Sequence, residues 1–239
     1  VALLARALPR PQELIDAAQQ RLDFAGHRLV LDAALGLYWP ARRMLVVSDL
    51  HLEKASFLTQ FGSPLAPYDT LDTLNRLEAL VAKYQPQSLV MLGDSFHDRN
   101  AWERLEAAAR QQFKTICGAV DTCHLVEGNH DIGLLSESGL TFTDSVALDG
   151  LTLRHEPDSR AAPQIIGHYH PKLRTSLQGH RLTGKCFAVN QSLLIMPAFG
   201  SFTGGLDMRD PVFAELGGDD PLRSYIVHGR TVAAIDFRR

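Results

Sequence analysis

An apolar run stops abruptly at polar residues at positions 44–51, which read MLVVSDLH. Consecutive apolar side chains are typical of a strand that is buried on both faces, as in a parallel sheet. Open α/β sheets present functional groups at the carboxyl ends of their strands. We therefore predict a buried strand over Met44–Ser48 that delivers Asp49 and His51 to one edge of a sheet.

The segments that follow repeat this strand and alternate it with helices. Two further apolar runs, Ser88–Leu92 and Cys123–Glu127, also end at a glycine followed by polar residues. The spacing of apolar residues before the first of these runs predicts a helix over Asp69–Tyr84. The spacing between the two runs predicts a second helix over Ala101–Phe113. This alternation favours α/β layering with mostly parallel strands.

The remaining segments read mainly as strands. Upstream, His27–Leu31 and Leu35–Trp39 are two strand-like runs. Downstream, short runs separated by Gly, Asp or Pro predict a β half with hairpins, at Ser145–Leu148, Leu151–His155, Gln164–Gly167, Arg181–Val189, Leu193–Met196, Ser224–Val227 and Val232–Phe237. We expect an N-terminal extension over residues 1–25, with a short amphipathic helix from Pro11 to Leu22, and one domain over residues 26–239.

Composition sets broad limits on the class of protein. The chain has 239 residues, of which 45% are hydrophobic and 21% charged, as in ordinary globular proteins. A net charge of −3 gives no overall attraction to nucleic acid. The three cysteines form no C-x-x-C pair, and no apolar stretch approaches the ~18 residues that span a bilayer. We therefore expect reduced thiols, a cytoplasmic location and no membrane partner.

Polar side chains recur where the predicted strands end, and they include six of the ten histidines. The set is Asp49, His51, Asp94, His97, Asn129, His130, Asp131, His155, His168 and His170. Residues i and i+2 of an extended segment face the same way, so Asp49 and His51 are expected to bind one ion together. Carboxylate, imidazole and amide ligands suit Mn, Fe or Zn, and the lack of a thiolate argues against a structural zinc site.

Each of these motifs has an ordinary explanation when it is taken alone. Asp-x-His arises by chance, and Gly-rich polar segments are often simple turns. The choice of His155 rests only on the strand predicted before it, and His124 and His180 are alternatives. His124 precedes its strand rather than ending it, and His180 lies in a Gly-flanked turn, so His155 ranks first.

Together, the motifs resemble the calcineurin-like metallophosphoesterase superfamily, whose pattern is D-x-H, G-D-x-x-[DH], G-N-H-[DE], H, G-H-x-H. The resemblance runs from Ser48 to His170. It implies two packed mixed β-sheets flanked by helices, which is a four-layer αββα sandwich. It also implies two divalent metal ions, with Mn ranked before Fe or Zn.

The resemblance also assigns a role to each residue of the set. One metal is bound by Asp49, His51 and His170, the other by Asn129, His155 and His168, and Asp94 bridges them. His130 is the catalytic residue that protonates the leaving oxygen. His97 and Asp131 are further candidates for catalysis or phosphate binding, and Asp131 can instead orient His130 or cap a turn.

The implied reaction is hydrolysis of a phosphate diester by a hydroxide that both metals hold. The sequence contains no G-x-S-x-G elbow, Walker loop or G-x-G-x-x-G turn that would favour other chemistry. Two alternatives stay open: a phosphoesterase for small molecules or nucleotides, and a binding scaffold that has lost catalysis. The complete ligand set argues against the scaffold.

A closer resemblance links the chain to the bacterial ligase-associated DNA-damage-response phosphoesterase/endonuclease family. Its basis is DLHLEK at 49–54, PYDT at 67–70, GDSFHD at 93–98, RHEP at 154–157, MPAFG at 196–200 and TGG at 203–205. The resemblance implies a DNA-repair nuclease that works with a ligase and a helicase. Candidates for contact with the DNA backbone are Lys54, Arg99, Lys172 and Arg174.

Overall fold

A computed structural model describes residues 18–59, 62, 68–132, 139–161, 163–177 and 180–235. Its first sheet has seven strands that lie side by side in chain order. They are β1 (Gln19–Phe24), β2 (His27–Asp32), β3 (Leu37–Trp39), β4 (Met44–Val47), β5 (Ser88–Leu92), β6 (Thr122–Val126) and β7 (Phe142–Thr143). Strands β1 to β4 pair antiparallel, whereas β4 to β7 pair parallel, so the sheet is mixed.

The second sheet has eight strands, in the order β15-β14-β12-β13-β10-β9-β8, with β11 paired to β12. They are β8 (Ser145–Leu148), β9 (Leu151–Arg154), β10 (Gln164–Ile166), β11 (Lys172–Leu177), β12 (His180–Val189), β13 (Leu193–Ile195), β14 (Arg223–His228) and β15 (Thr231–Ile235). Strands β9, β10 and β13 run parallel to one another, and the other pairs are antiparallel.

Helices cover the outer face of each sheet. Within the described residues they are α1 (Lys54–Thr59), α2 (Asp69–Tyr84), α3 (Ala101–Arg104), α4 (Ala107–Gly118) and α5 (Pro211–Gly217). None of these described helices is long and apolar enough to cross a membrane. Helix α5 begins at an Asp210-Pro211 pair, and the Asp210 side chain accepts a hydrogen bond from the Val212 N–H.

Three apolar clusters hold four layers together. Leu45 and Val47 of β4 pack with the leucines of α2 and with Phe113 of α4. Met44 and Val46, which point the other way, pack against the second sheet. Phe213 of α5 packs on the far face of that sheet. The predicted αββα sandwich of two mixed sheets is confirmed.

The helix predicted over Pro11–Leu22 is wrong for residues 19–22, which belong to β1. Leu22 and Phe24 are buried while Arg21 and Asp23 are exposed, and this period of two is that of a strand. Residues 11–17 lie outside the described residues. The division into an extension over 1–25 and a domain over 26–239 stays a prediction, although residues 19–24 already pair with β2.

Two other expectations need correction. The helix predicted over Ala101–Phe113 is two helices, because Leu105 and Glu106 leave the helical conformation with ψ of 130° and 150°. On α2, Leu71 is 41% exposed, whereas Thr70 and Thr73 are buried. Strand β11 was missed, because it alternates polar residues with only two leucines.

Candidate metal centre

The predicted ligands follow strands of both sheets. Asp49 follows β4 and Asp94 follows β5, which are parallel neighbours in the first sheet. His155 follows β9 and His168 follows β10, which are parallel neighbours in the second. The His168 N–H lies 3.2–3.3 Å from the two carboxylate oxygens of Asp49, so the two sets of strand ends meet.

A first group of ligand atoms converges on Asp49. Asp49, His51, Asp94 and His170 each offer one atom, and these atoms all lie within 4.8 Å of one another. The Nε2 atom of His170 is 3.0 Å from Oδ1 of Asp49 and 3.4 Å from Nε2 of His51. Three of the four side chains are buried. The structure thus brings together the predicted first ligand set and Asp94.

A second group lies on the other side of Asp94. Nε2 of His155 is 3.4 Å from Oδ2 of Asp94 and 3.3 Å from Nδ1 of His168. Nδ1 of His155 donates to the Leu92 carbonyl at 2.9 Å, which directs Nε2 toward the group. The structure therefore places His155, rather than its rival His124 on β6, at the site. The side chain of His180 lies outside the described residues.

Asn129 and Glu156 lie at the open side of the second group. The amide nitrogen of Asn129 donates to Oε1 of Glu156 at 2.6 Å. The same carboxylate oxygen is 3.7 Å from Nδ1 of His168. Glu156 was not predicted as a site residue, and its signals in the sequence are its place directly after His155 and within the RHEP motif at 154–157.

His130 and His97 lie beside the first group. Nδ1 of His130 donates to the His97 carbonyl at 2.6 Å, so the other ring nitrogen is free. The two rings stack with centroids 5.1 Å apart, and the His130 ring is 5.0 Å from that of His51. Nδ1 of His97 is 3.3 Å from Nδ1 of His51. Both candidates thus face the centre.

Asp131 holds the loops beside the centre rather than facing it. Its side chain is fully buried, and its carboxylate accepts hydrogen bonds from the N–H groups of Ser95, Phe96 and Gly128 at 3.0–3.2 Å. It therefore ties the loop after β5 to the loop after β6. These hydrogen bonds match the turn-capping role that the sequence left open for Asp131, and its burial leaves no exposed carboxylate oxygen for a phosphate.

Comparison with known proteins agrees with this geometry. Residues 42–230 match the family described as "Calcineurin-like phosphoesterase". The chain belongs to this family. It is a metallophosphoesterase, and it hydrolyses phosphate esters.

The fold is also similar to that of a solved nuclease structure. The crystal structure of Pseudomonas putida nuclease MPE matches with a TM-score of 0.71 and 29% sequence identity, over 91% of this chain and 100% of that chain. Comparison with curated proteins gave no match.

The backbone of the phosphoesterase is strained at five predicted ligands. Asp49, His51, Asp94, His168 and His170 all have positive φ, between 45° and 70°. This left-handed conformation is uncommon for residues other than glycine, although Asp and His tolerate it better than most. It costs on the order of 1–3 kcal/mol per residue and is concentrated at functional sites. The i, i+2 reasoning from extended strands was therefore wrong in its geometry, although Asp49 and His51 do converge.

Two glycines make room for this arrangement. Gly93 has φ of +74°, and a Cβ atom there would overlap the imidazole ring of His155. A Cβ atom at Gly167 would overlap Oγ of Ser48 and approach Oδ2 of Asp49 to 2.7 Å. Both glycines are required by space, and Gly93 is also required by its positive φ.

The charges at the centre depend on one another. Burial alone would raise the pKa of Asp49 and Asp94, but His170 beside Asp49 and His155 beside Asp94 hold the pKa of both carboxyls below their usual range. Burial lowers the pKa of His51 to about 3. Burial would also lower the pKa of His155, but the hydrogen bond to Asp94 and the nearby charges raise it to about 9.

These residues fit a divalent cation. When no cation is bound, protonated His155 offsets the negative charges of the two buried carboxylates, Asp49 and Asp94. A metal ion competes with this proton for the imidazole nitrogen. Nε2 atoms of His51 and His170 lie 3.4 Å apart with carboxylate oxygens around them, and a shared cation satisfies such a set. Members of this family use divalent metals.

Proposed function

We propose that this phosphoesterase uses two divalent metal ions to hydrolyse phosphate diesters, and that its substrate is DNA. The observation that carries the proposal is the position of Asp94. Its carboxylate oxygen Oδ2 lies 3.7 Å from Nε2 of His51 and 3.4 Å from Nε2 of His155. One carboxylate is therefore shared by two groups of ligands, as a bridging ligand requires.

The ions would be held by the residues already named, with Asp49, His51 and His170 on one side of Asp94 and Asn129, His155 and His168 on the other. Two bound ions lower the pKa of a water and neutralise the charge on the phosphoryl oxygens. Backbone contacts orient the ligands: the Leu92 carbonyl sets the tautomer of His155, and the His130 N–H donates to Oδ1 of Asp94 at 2.9 Å.

His130 would supply the proton that the leaving oxygen needs. Its Nδ1 is engaged by the His97 carbonyl, so its free Nε2 can donate when the ring is charged. The ring is exposed, which leaves it open to substrate. The stacked His97 ring keeps His130 in place and lies against His51, so His97 is a second candidate for contact with the phosphate.

The substrate, the biological role, the metal and the location are each supported by a separate observation. DNA as the substrate is supported by the structural similarity to a nuclease. A role in DNA repair, with a ligase and a helicase as partners, is supported by the motifs shared with the ligase-associated family. The ligand types support Mn before Fe or Zn. The cytoplasmic location rests on cysteines that are free in the described structure.

A pair of chromogenic substrates tests the proposal. The protein is loaded with Mn, Fe or Zn, and kcat/KM is measured for bis(p-nitrophenyl) phosphate and for p-nitrophenyl phosphate. We expect the diester to be hydrolysed faster than the monoester, with Mn as the best metal. A preference for the monoester would favour the small-molecule alternative, and no turnover of either substrate would favour the inactive scaffold.

DNA is tested next, as single strands and as duplex, with the salt concentration varied because phosphate contacts weaken in salt. Cleavage that disappears in the metal-free protein supports the nuclease. Hydrolysis of the chromogenic diester without cleavage of either DNA would contradict DNA as the substrate.

A further inference from the structure

Three lysines gather beside the metal centre without acidic partners. Lys54, Lys172 and Lys185 are each half-buried. Within the described part of the chain, no carboxylate lies within 4.0 Å of any of the three, although Lys83 does form such a pair with Asp32. Partly desolvated cations that lack counter-charges are unfavourable, so such a cluster usually has an anionic ligand.

Two of the lysines meet at the loop of residues 198–205. Nζ of Lys185 donates to the carbonyls of Ala198 and Gly200, both at 2.7 Å, and to Oγ1 of Thr203 at 2.8 Å. Its three donors are thus used within the fold. Nζ of Lys172 donates only to the Thr203 carbonyl, at 3.4 Å, and keeps donors free.

The side chain of Lys172 runs along this loop, next to the backbone of His170. A Cβ atom added at Gly205 would overlap the His170 carbonyl and lie 3.1 Å from both Cδ and Cε of Lys172. The lysine stem therefore runs next to the backbone of a predicted metal ligand. Because Gly205 has no side chain, it leaves room for the Lys172 stem and for the His170 carbonyl.

Lys54 approaches the same place from the first sheet. It is the first residue of α1, three residues after His51. Burial, and then the positive charge of Lys172, lower the pKa of Lys54, whereas Asp69 and Asp94 raise it. The helix also lies against His97, because the rings of Phe57 and His97 have centroids 4.9 Å apart and the His97 N–H donates to the Leu52 carbonyl at 3.0 Å. Lys54 therefore lies on the same side of the centre as His97, close enough to Lys172 for their charges to interact.

We propose that Lys54 and Lys172 bind a second phosphate group of the substrate, adjacent to the phosphate that is cleaved, and so favour polynucleotides over compounds with a single phosphodiester. This second site rests on the proposed function, in which the metal centre binds the phosphate that is cleaved. Phe202, 45% exposed and next to Thr203, offers a face on which a base can stack.

The other two residues predicted for a DNA-binding groove fit this site less well. Arg99 is exposed, and Nε of Arg174 lies 4.0 Å from Asp207 with 70% of its side chain exposed. Their charges are screened by solvent or balanced by a neighbour. Lys54 and Lys172 are half-buried and have no carboxylate within 4.0 Å among the described residues, so they remain the better candidates for binding a phosphate.

Kinetics on two substrates test the site. Lys54→Gln and Lys172→Gln are compared with Lys114→Gln, a change at an exposed lysine of α4 that has the same effect on net charge. The substrates are oligothymidylate and bis(p-nitrophenyl) phosphate. Each site variant should lower the ratio of kcat/KM for the oligonucleotide to kcat/KM for the single diester by about tenfold or more, because a hydrogen bond to a charged group is lost. The control should keep the wild-type ratio.

An unchanged ratio in both lysine variants would overturn the proposal, and so would an equal loss on the two substrates. A third substrate, a nucleoside diphosphate ester, tests the preference for polynucleotides. If the lysine variants lose kcat/KM on this ester but keep the wild-type kcat/KM on the oligonucleotide, that preference is overturned. Circular dichroism and metal content of each variant should match the wild type.

Binding separates this proposal from the proposed reaction. The fluorescence anisotropy of labelled oligothymidylate is measured against salt with the metal-free protein. Removing one phosphate contact should reduce the slope of log K against log salt by about 0.7 for a single strand. If the wild-type protein cleaves no diester, the proposed function fails, but a smaller slope in each lysine variant would still support the phosphate site. An unchanged slope would contradict it.

Discussion

At the scale of single residues, His130 offers a sharp test because it faces the centre without belonging to either predicted ligand set. His130→Ala should lower kcat on the diester by about 10²–10⁴-fold, as expected for the loss of a general acid. Elemental analysis should find the wild-type metal content, since no ligand is removed. His228→Ala, at an exposed position of β14, is the control and should change neither value. Loss of metal from His130→Ala would make His130 a ligand instead.

Asp94 is the residue on which the two-metal proposal depends. Asp94→Asn keeps an oxygen that can accept from the His130 N–H, so the loop after β6 should stay in place. Removal of the negative charge should weaken both ion sites at once, and metal content should fall by more than one equivalent per chain. Two full equivalents in the purified variant would show that Asp94 does not bridge.

At the scale of elements, the close contact between the ends of β4 and β10 sets the geometry of the centre. Gly167→Ala places a methyl group against Ser48 and Asp49, and overpacking of this kind costs about 1–3 kcal/mol. Gly118→Ala at the end of α4 meets nothing within 4 Å and is the matched control. Urea unfolding should show a loss of stability for the first variant only, with a loss of metal. Equal stability of the two variants would contradict this account.

The loop of residues 198–205 also joins the sheets, and Lys185 makes its stability depend on pH. Burial lowers the pKa of this amine to about 7, whereas its ordinary value is 10.5. Between these values the unfolded chain binds more protons than the folded one, so the free energy of unfolding should rise with pH. Below pH 7 both forms are protonated, and this group adds no further dependence.

Lys185→Met tests this expectation because it removes the amine and keeps an unbranched side chain. Urea unfolding from pH 7 to pH 10, in EDTA, should give a flatter dependence for the variant than for the wild type. The same slope in both proteins would show that Lys185 keeps its proton in the folded state.

At the scale of the whole molecule, metal binding should contribute to the stability of the sandwich. The ligands come from the ends of strands in both sheets, and several of them hold strained backbone conformations. A ligand at 100 times its Kd adds about 2.7 kcal/mol, which for a chain of this size is about 5–10 °C in Tm. Thermal unfolding in EDTA and in excess Mn should differ by this amount. Identical Tm values would mean that the centre binds no ion in the folded state.

Much of this fold could be read from the sequence because its signals are local. Continuous apolar runs predicted β4, β5 and β6, and the leucine spacing predicted α2 at its observed bounds. Segments with weak local signals were missed: β1 was read as a helix, and β11 is largely polar. The grouping of His51 with Asp49 was also foreseen, although its backbone geometry was not.

The sequence by itself determined which residue types follow which strands, and thereby the candidates for a metal centre. Only the tertiary structure decided that His155 faces Asp94 rather than solvent, that Asp131 ties two loops together, and that Glu156 lies beside Asn129 and His168. The physical reason is distance along the chain. Asp49 and His170 are separated by more than 100 positions, and they meet because parallel strands of two packed sheets end at one edge, which no local pattern encodes.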